Sequence, residues 1–180
     1  MARLFFGLEL PPEIKGRLLK VRSAVSGAKW QSAEQLHITL LFLGSVEEEV
    51  VSAVCEQARE ILMEPFMLGV AGLSCFGHPQ KPRNLWAGVQ PEAPVASLHD
   101  GLKGRMTNLG FEMGGGAFRP HITLARFKRQ AGSVEGLLTE HADSGFGHFP
   151  VTEFVLFGSK PGPTGSVYTV LERFPLRGAD

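Results

Sequence analysis

Two hydrophobic rhythms alternate along this chain, and each occurs twice. Arg3-Leu4-Phe5-Phe6-Gly7-Leu8 is a short run rich in apolar and aromatic residues, which predicts a strand. Past the turn at Pro11-Pro12, Ile14, Leu18, Val21 and Val25 fall on one face at helical spacing. About 80 residues later the same order returns. Arg83-Asn84-Leu85-Trp86-Ala87-Gly88-Val89 predicts a strand, and Val95, Leu98, Leu102 and Met106 predict a helix after Pro94. Leu36–Leu43 and Pro120–Phe127 follow as strands, and both contain the tetrapeptide His-Ile-Thr-Leu.

The next elements also match, with less regularity. Ser45-Val46-Glu47-Glu48 has the pattern of a capping box and predicts a helix starting there, with Val50, Val54, Ala58 and Ile61 facing the core. Its counterpart, Ser133–His141, carries Val134, Leu137 and Leu138 but also Gly136, which predicts a shorter helix. Pro65-Phe66 to Phe76-Gly77 and Pro150-Val151 to Phe157-Gly158 each lead through a proline-rich turn into a further strand. The repeat predicts an α+β fold of two similar lobes over residues 1–180, forming one bilobal domain. Each lobe is expected to be a mainly antiparallel sheet covered by helices, with a pseudo-two-fold axis through a central cleft.

Composition narrows the function more than the fold. Eighteen Lys plus Arg balance eighteen Asp plus Glu among 180 residues, so any anion site must be local rather than a broad basic field. Cys55 and Cys75 are too few for a disulfide framework and fit a reducing compartment as idle thiols. The N-terminal apolar run is broken by Glu9 and Pro11-Pro12, and no run approaches membrane-spanning length. The expected location is the cytoplasm, with no membrane partner.

In a strand, successive side chains alternate faces. His37 and Thr39 therefore share one face while Ile38 and Leu40 face the core, and His121 and Thr123 repeat the arrangement. Packing explains the Ile and Leu of a repeated His-Ile-Thr-Leu, but not the His and Thr. If the lobes meet across a groove, two imidazoles and two hydroxyls converge on one polar site. Imidazoles exchange protons near neutral pH, and threonine hydroxyls can donate to phosphate oxygens without ionising, which together suit metal-independent phosphoryl transfer.

With its two motifs, residues 37–40 and 121–124, the chain resembles the 2H phosphoesterase superfamily, specifically the LigT-like RNA 2′,3′-cyclic phosphodiesterases. Leu41-Phe42-Leu43-Gly44 after the first motif, Arg119-Pro120 before the second and Ala125-Arg126 after it carry the likeness further. So do Ser159-Lys160-Pro161-Gly162-Pro163, Tyr168 and Phe174-Pro175-Leu176. The resemblance implies a bilobal fold, no cofactor, no metal, and opening of RNA 2′,3′-cyclic phosphate ends to a 2′-phosphate. It implies His121 as proton acceptor, His37 as proton donor, and Thr39, Thr123 and Arg126 as phosphate ligands. The near symmetry of the repeat leaves the direction of proton transfer open.

Other positions are less defined. Arg126 lies three residues beyond Thr123, on the opposite strand parity unless a bulge re-aims it. Phe42 is a candidate for stacking on a terminal base, with the same difficulty of parity. Arg126, Lys128 and Arg129 form a modest basic patch able to steer a phosphate-rich end. His78, His99, His141 and His148 are expected to be surface or loop residues, and Gly114-Gly115-Gly116 a flexible turn. Alternatives to RNA-end hydrolysis are a 2′-5′ RNA ligase, a phosphodiesterase of small cyclic nucleotides, and a non-catalytic RNA-end binding module, for which Arg or Lys would be the more natural ligands.

Overall fold

The computed structural model describes residues 2–178. Nine strands and four helices follow in the order β1 (Ala2–Glu9), α1 (Pro12–Leu19), β2 (Ala28–Trp30), β3 (His37–Val46), α2 (Glu48–Arg59), β4 (Phe66–His78), β5 (Lys81–Gln90), α3 (Glu92–Asn108), β6 (His121–Phe127), α4 (Glu135–Glu140), β7 (Gly145–Val151), β8 (Glu153–Gly162) and β9 (Gly165–Pro175). A short 3-10 turn, Ala33–Gln35, precedes β3. Among these residues no helix is long and apolar enough to cross a membrane.

All strands join one antiparallel sheet in the order β7-β4-β5-β6-β3-β1-β8-β9, with β2 paired to β6. The order is symmetric about the β6–β3 junction. One lobe reads outward as β3-β1-β8-β9 and the other as β6-β5-β4-β7, so β3 corresponds to β6 and β1 to β5, as the repeat predicts. The lobes are not the two halves of the sequence, however. The last matched strand of each half crosses over: β4 pairs with β5 in the second lobe, and β8 pairs with β1 in the first. Helices cross in the same way, with α1 packed on β7 and α3 on β3. A repeat is visible along the chain, but which copy a strand joins is decided by pairing between distant segments.

The helical faces form largely as their spacing predicts. Val95, Leu98, Leu102 and Met106 of α3 are fully buried, as are Ile14 and Leu18 of α1. With Gly136 in its first turn, α4 is only six residues long. The start of α2 differs from expectation. Ser45 and Val46 continue β3, paired with Arg3 and Ala2 of β1, and the helix begins at Glu48 with no side-chain cap. Two further ladder pairs prevailed over a local capping pattern. One hydrophobic core runs through both lobes, and Ile38 and Ile122 at its centre are fully buried.

Because the core is continuous, we expect the chain to unfold as one unit. Ile122→Ala should destabilise it by about 2–5 kcal/mol, read as a lower urea midpoint in one transition seen alike by circular dichroism and tryptophan fluorescence. Two separated transitions would show the lobes to be independent.

Candidate active site

The β3–β6 junction is registered by a single residue pair, Ile38 with Ile122. Directly opposed residues in an antiparallel pair point to the same face. Moving one residue outward along both strands sets His37 beside Thr123 on one side and Thr39 beside His121 on the other. All four side chains therefore stand on the face opposite the two buried isoleucines, around the pseudo-dyad. This is the convergence the paired motifs predict.

Both rings are oriented by the same local device. His37 Nδ1 lies 2.7 Å from the Gln35 carbonyl oxygen, and His121 Nδ1 lies 2.6 Å from that of Arg119. A carbonyl only accepts, so each Nδ1 carries the proton and each neutral ring presents Nε2 as an acceptor. The Thr39 hydroxyl donates to His37 Nε2 at 2.8 Å. His121 Nε2 has no hydrogen-bond partner among the described residues. Gln35 is itself held: its side chain accepts from Ser32 N at 2.9 Å and donates to the Ser166 carbonyl at 3.0 Å.

Aromatic rings wall both imidazoles. Phe5, Tyr168 and Phe157 lie 5.0, 5.1 and 5.6 Å from the ring of His37, and Phe76 and Trp86 lie 5.1 and 5.6 Å from that of His121. Phe5, Val155 and Phe157 form a small apolar cluster separate from the main core. Opposite Thr39 in β1 stands Gly7, where a Cβ would come within 2.8 Å of the Ile38 carbonyl and 2.9 Å of the Phe157 ring. Only glycine leaves room there for that wall. The Trp86 indole Nε1 is buried with no partner among the described residues, a cost of about 1–3 kcal/mol that packing must offset.

Burial makes each ring harder to charge. His37 is lowered from 6.5 to about 4, mainly by burial, with smaller contributions from Arg126 and His121, while its bond to Gln35 opposes the shift. His121 is lowered for the same main reason, and Arg126 and Arg119 add to the effect. Arg126 thus acts electrostatically on both histidines.

The parity of Arg126 and Phe42 is resolved by a pair of equivalent β-bulges. In β6, Thr123 opposes Trp86 and Ala125 opposes Leu85, which leaves Leu124 as the extra residue. In β3, Thr39 opposes Gly7 and Leu41 opposes Phe6, which leaves Leu40 as the extra residue. Each bulge buries two consecutive residues and turns the next one, Arg126 or Phe42, back to the cleft face. Phe42 is 63% exposed, and both residues line a hollow of about 410 Å³ together with Phe5, Ser159 and Tyr168.

The aromatic walls and the Gln35 and Arg119 carbonyls were not legible as site features in the sequence. One signal was present: Phe76-Gly77 and Phe157-Gly158 recur at matching places in the repeat, and both rings wall a histidine. One expectation is corrected. His99 is not a surface or loop histidine. It lies half-buried on α3, with Nδ1 2.6 Å from the carbonyl of bulge residue Leu40 and its ring stacked on Phe118 at 4.1 Å. His78 and His148 are exposed, and His141 sits at the end of α4 beside Ser144. Gly114-Gly115-Gly116 lie in an exposed loop.

A bilobal sheet with two His-Ile-Thr-Leu strands meeting at its dyad is the arrangement of a two-histidine phosphoesterase. The LigT like Phosphoesterase family matches residues 8–86 and again 88–168, and the chain belongs to that family. It is 34% identical over 175 residues to an RNA 2′,3′-cyclic phosphodiesterase of Archaeoglobus fulgidus, covering 96% of this chain and 99% of the relative. It is 35% identical over 191 residues to one of Thermus thermophilus, covering 98% and 91%. The crystal structure of a Thermus thermophilus protein superposes with a TM-score of 0.85 at 34% identity, covering 99% of this chain and 100% of that one. E. coli LigT complexed with 3′-AMP superposes with a TM-score of 0.84 at 29% identity, covering 97% and 98%.

Burial of His37 sets the sign of an acid response. With a folded value near 4 against 6.5 for the free side chain, the unfolded chain binds the extra proton between those limits. The associated stability is therefore complete above about pH 6.5 and is lost as pH falls toward 4. His37→Gln cannot titrate, so its melting temperature should fall less steeply across that window. An unchanged slope would argue that His37 is not held neutral.

Proposed function

We propose that this chain hydrolyses the 2′,3′-cyclic phosphate at RNA ends, with His121 as general base and His37 as general acid. The observation that carries the reading is the pair of imidazoles on adjacent strands, both fixed through Nδ1 so that Nε2 faces one cleft. The names of the relatives supply the substrate class.

In the proposed step, water attacks phosphorus as His121 Nε2 takes its proton. The bond from phosphorus to O3′ breaks on the opposite side, and His37 Nε2–H protonates the departing oxygen, leaving a 2′-phosphate. The Nε2 lone pair of His121, which no side chain among the described residues engages, supports its assignment as base. Thr39, Thr123 and Arg126 hold the non-bridging oxygens, and Phe42 stacks on the terminal base. None of these roles calls on a metal or cofactor. Two free thiols, Cys55 and Cys75, accord with the reducing conditions of the cytoplasm.

The acid must be charged to act, yet burial holds His37 neutral in the free protein. An anionic phosphate between the rings favours the imidazolium, so substrate binding and proton uptake are coupled. Both pKa values being lowered, the bell-shaped profile of kcat/KM should centre below pH 6.5, and that of kcat should lie at higher pH. Coincident profiles would remove the coupling.

The direct test is incubation with an oligonucleotide ending in 2′,3′-cyclic phosphate, in the presence of chelator, followed by identification of the terminus. The expected product is solely the 2′-phosphate. His37→Ala and His121→Ala should each lower the rate by about 10²–10⁴, and Thr39→Ala and Thr123→Ala by less. Full activity of either histidine variant would defeat the assignment, a requirement for added metal would defeat the mechanism, and a 3′-phosphate product would reverse the orientation.

A further inference from the structure

The cleft has two dissimilar arms. Beside His37 the hollow holding Phe5, Phe42, Ser159 and Tyr168 offers rings and hydroxyls, the chemistry of a single nucleoside, with Arg3 and Arg126 also in its lining. Beside His121 Arg126 is shared, and the lining beyond it gains further cations. Phe76, whose ring lies 5.1 Å from His121, shares a hollow of about 400 Å³ with Arg83, Asn84, Arg126 and Phe127. Arg83 and Phe127 also line the next hollow outward, of about 610 Å³, together with Lys81, Lys128 and Arg129. The shared residues set the two hollows side by side.

Strand register explains why these cations lie together. Asn84 of β5 opposes Arg126 of β6, and the strands are antiparallel. Lys81 and Arg83, preceding Asn84, therefore run alongside Phe127, Lys128 and Arg129, leading away from the histidines. At about 3.3 Å per residue the stretch from Arg126 to Arg129 reaches on the order of 10 Å. All five cations are exposed. Among the described residues every ion pair involves Arg59, Arg105 or Arg173 instead, so these five face no carboxylate at pairing distance. Glu135 accepts from Gln80 at the β4–β5 turn. In a chain whose charges sum to zero, an unneutralised cation row is a local feature that folding does not require.

We propose that this β5–β6 row is a binding track for the phosphodiester backbone of single-stranded RNA. The inference rests on the cyclic-phosphate reading above and deepens it: the preferred substrate is an oligonucleotide carrying the cyclic end, not a mononucleotide. Cations interleaved with Phe76 and Phe127 are the combination that holds single strands without reading sequence.

The test compares a nucleoside 2′,3′-cyclic monophosphate with a short RNA ending in 2′,3′-cyclic phosphate, using the wild type and the triple variant Lys81→Ala, Lys128→Ala, Arg129→Ala. The wild type should favour the oligonucleotide in kcat/KM. The triple variant should lose roughly tenfold on the oligonucleotide through KM, the scale of one or two charge-assisted phosphate contacts, and nothing on the mononucleotide. Its log–log salt dependence should flatten by about 0.7 for each phosphate that the variant no longer neutralises. An equal loss on both substrates, or none on either, overturns the track. If the wild type turns over neither, the hydrolytic reading fails on its own. The track is then judged by fluorescence anisotropy of an RNA with a 3′-phosphate end: weaker binding by the triple variant supports it, and unchanged binding overturns it. Equal melting temperatures of the two proteins exclude a folding defect.

Discussion

The structure turns on the antiparallel contact between β3 and β6, where Ile38 meets Ile122. The pair closes the core from below and, through strand alternation, obliges the residues on either side to face the cleft. One apolar contact thus does two jobs that cannot be separated. Shifting either strand by one residue would send the histidines into the core and the isoleucines into water. The burial that stabilises the sheet also sets the register of the chemistry.

Around that contact, symmetry supplies the common parts of the site and its breaking supplies the differences. The bulges at Leu40 and Leu124 are equivalent, and each turns the next residue to the cleft. One lobe presents Phe42 there, an aromatic ring, and the other presents Arg126, a cation. Gly7 and Trp86 likewise face the two threonines from equivalent strands, so one imidazole is walled by Phe157 reaching over a glycine and the other by an indole. A duplicated frame thus carries unlike side chains on its two sides, the asymmetry that the proposed in-line displacement calls for.

The same walls explain why the site is poised rather than stable. Packing rings around an imidazole removes water and disfavours its charge, as the depression of His37 to about 4 expresses. An unpartnered indole donor in Trp86 adds to the cost. These features make little sense as contributions to stability. They do suit the proposed reading, in which an anion between the rings favours the charge that burial withholds.

The amino-acid pattern alone determined much of this. The repeat, the α+β class, the buried faces of α1 and α3, and the placing of His37, Thr39, His121 and Thr123 on a common strand face all follow from local periodicity, which depends only on near neighbours in the chain. The start of α2 departs from its capping pattern because Ser45 and Val46 satisfy their backbone groups on β1, a partner far away in sequence. His99 departs from a surface position because the carbonyl it bonds, at Leu40, is presented to it only by a bulge. Tertiary structure alone decided the crossing of β4 and β8 between lobes, the facing of Arg126 and Phe42 into the cleft, and the aromatic walls. Each depends on which distant strand lies alongside, and pairing over that range is selected by the burial of the whole sheet, not by any local run of residues.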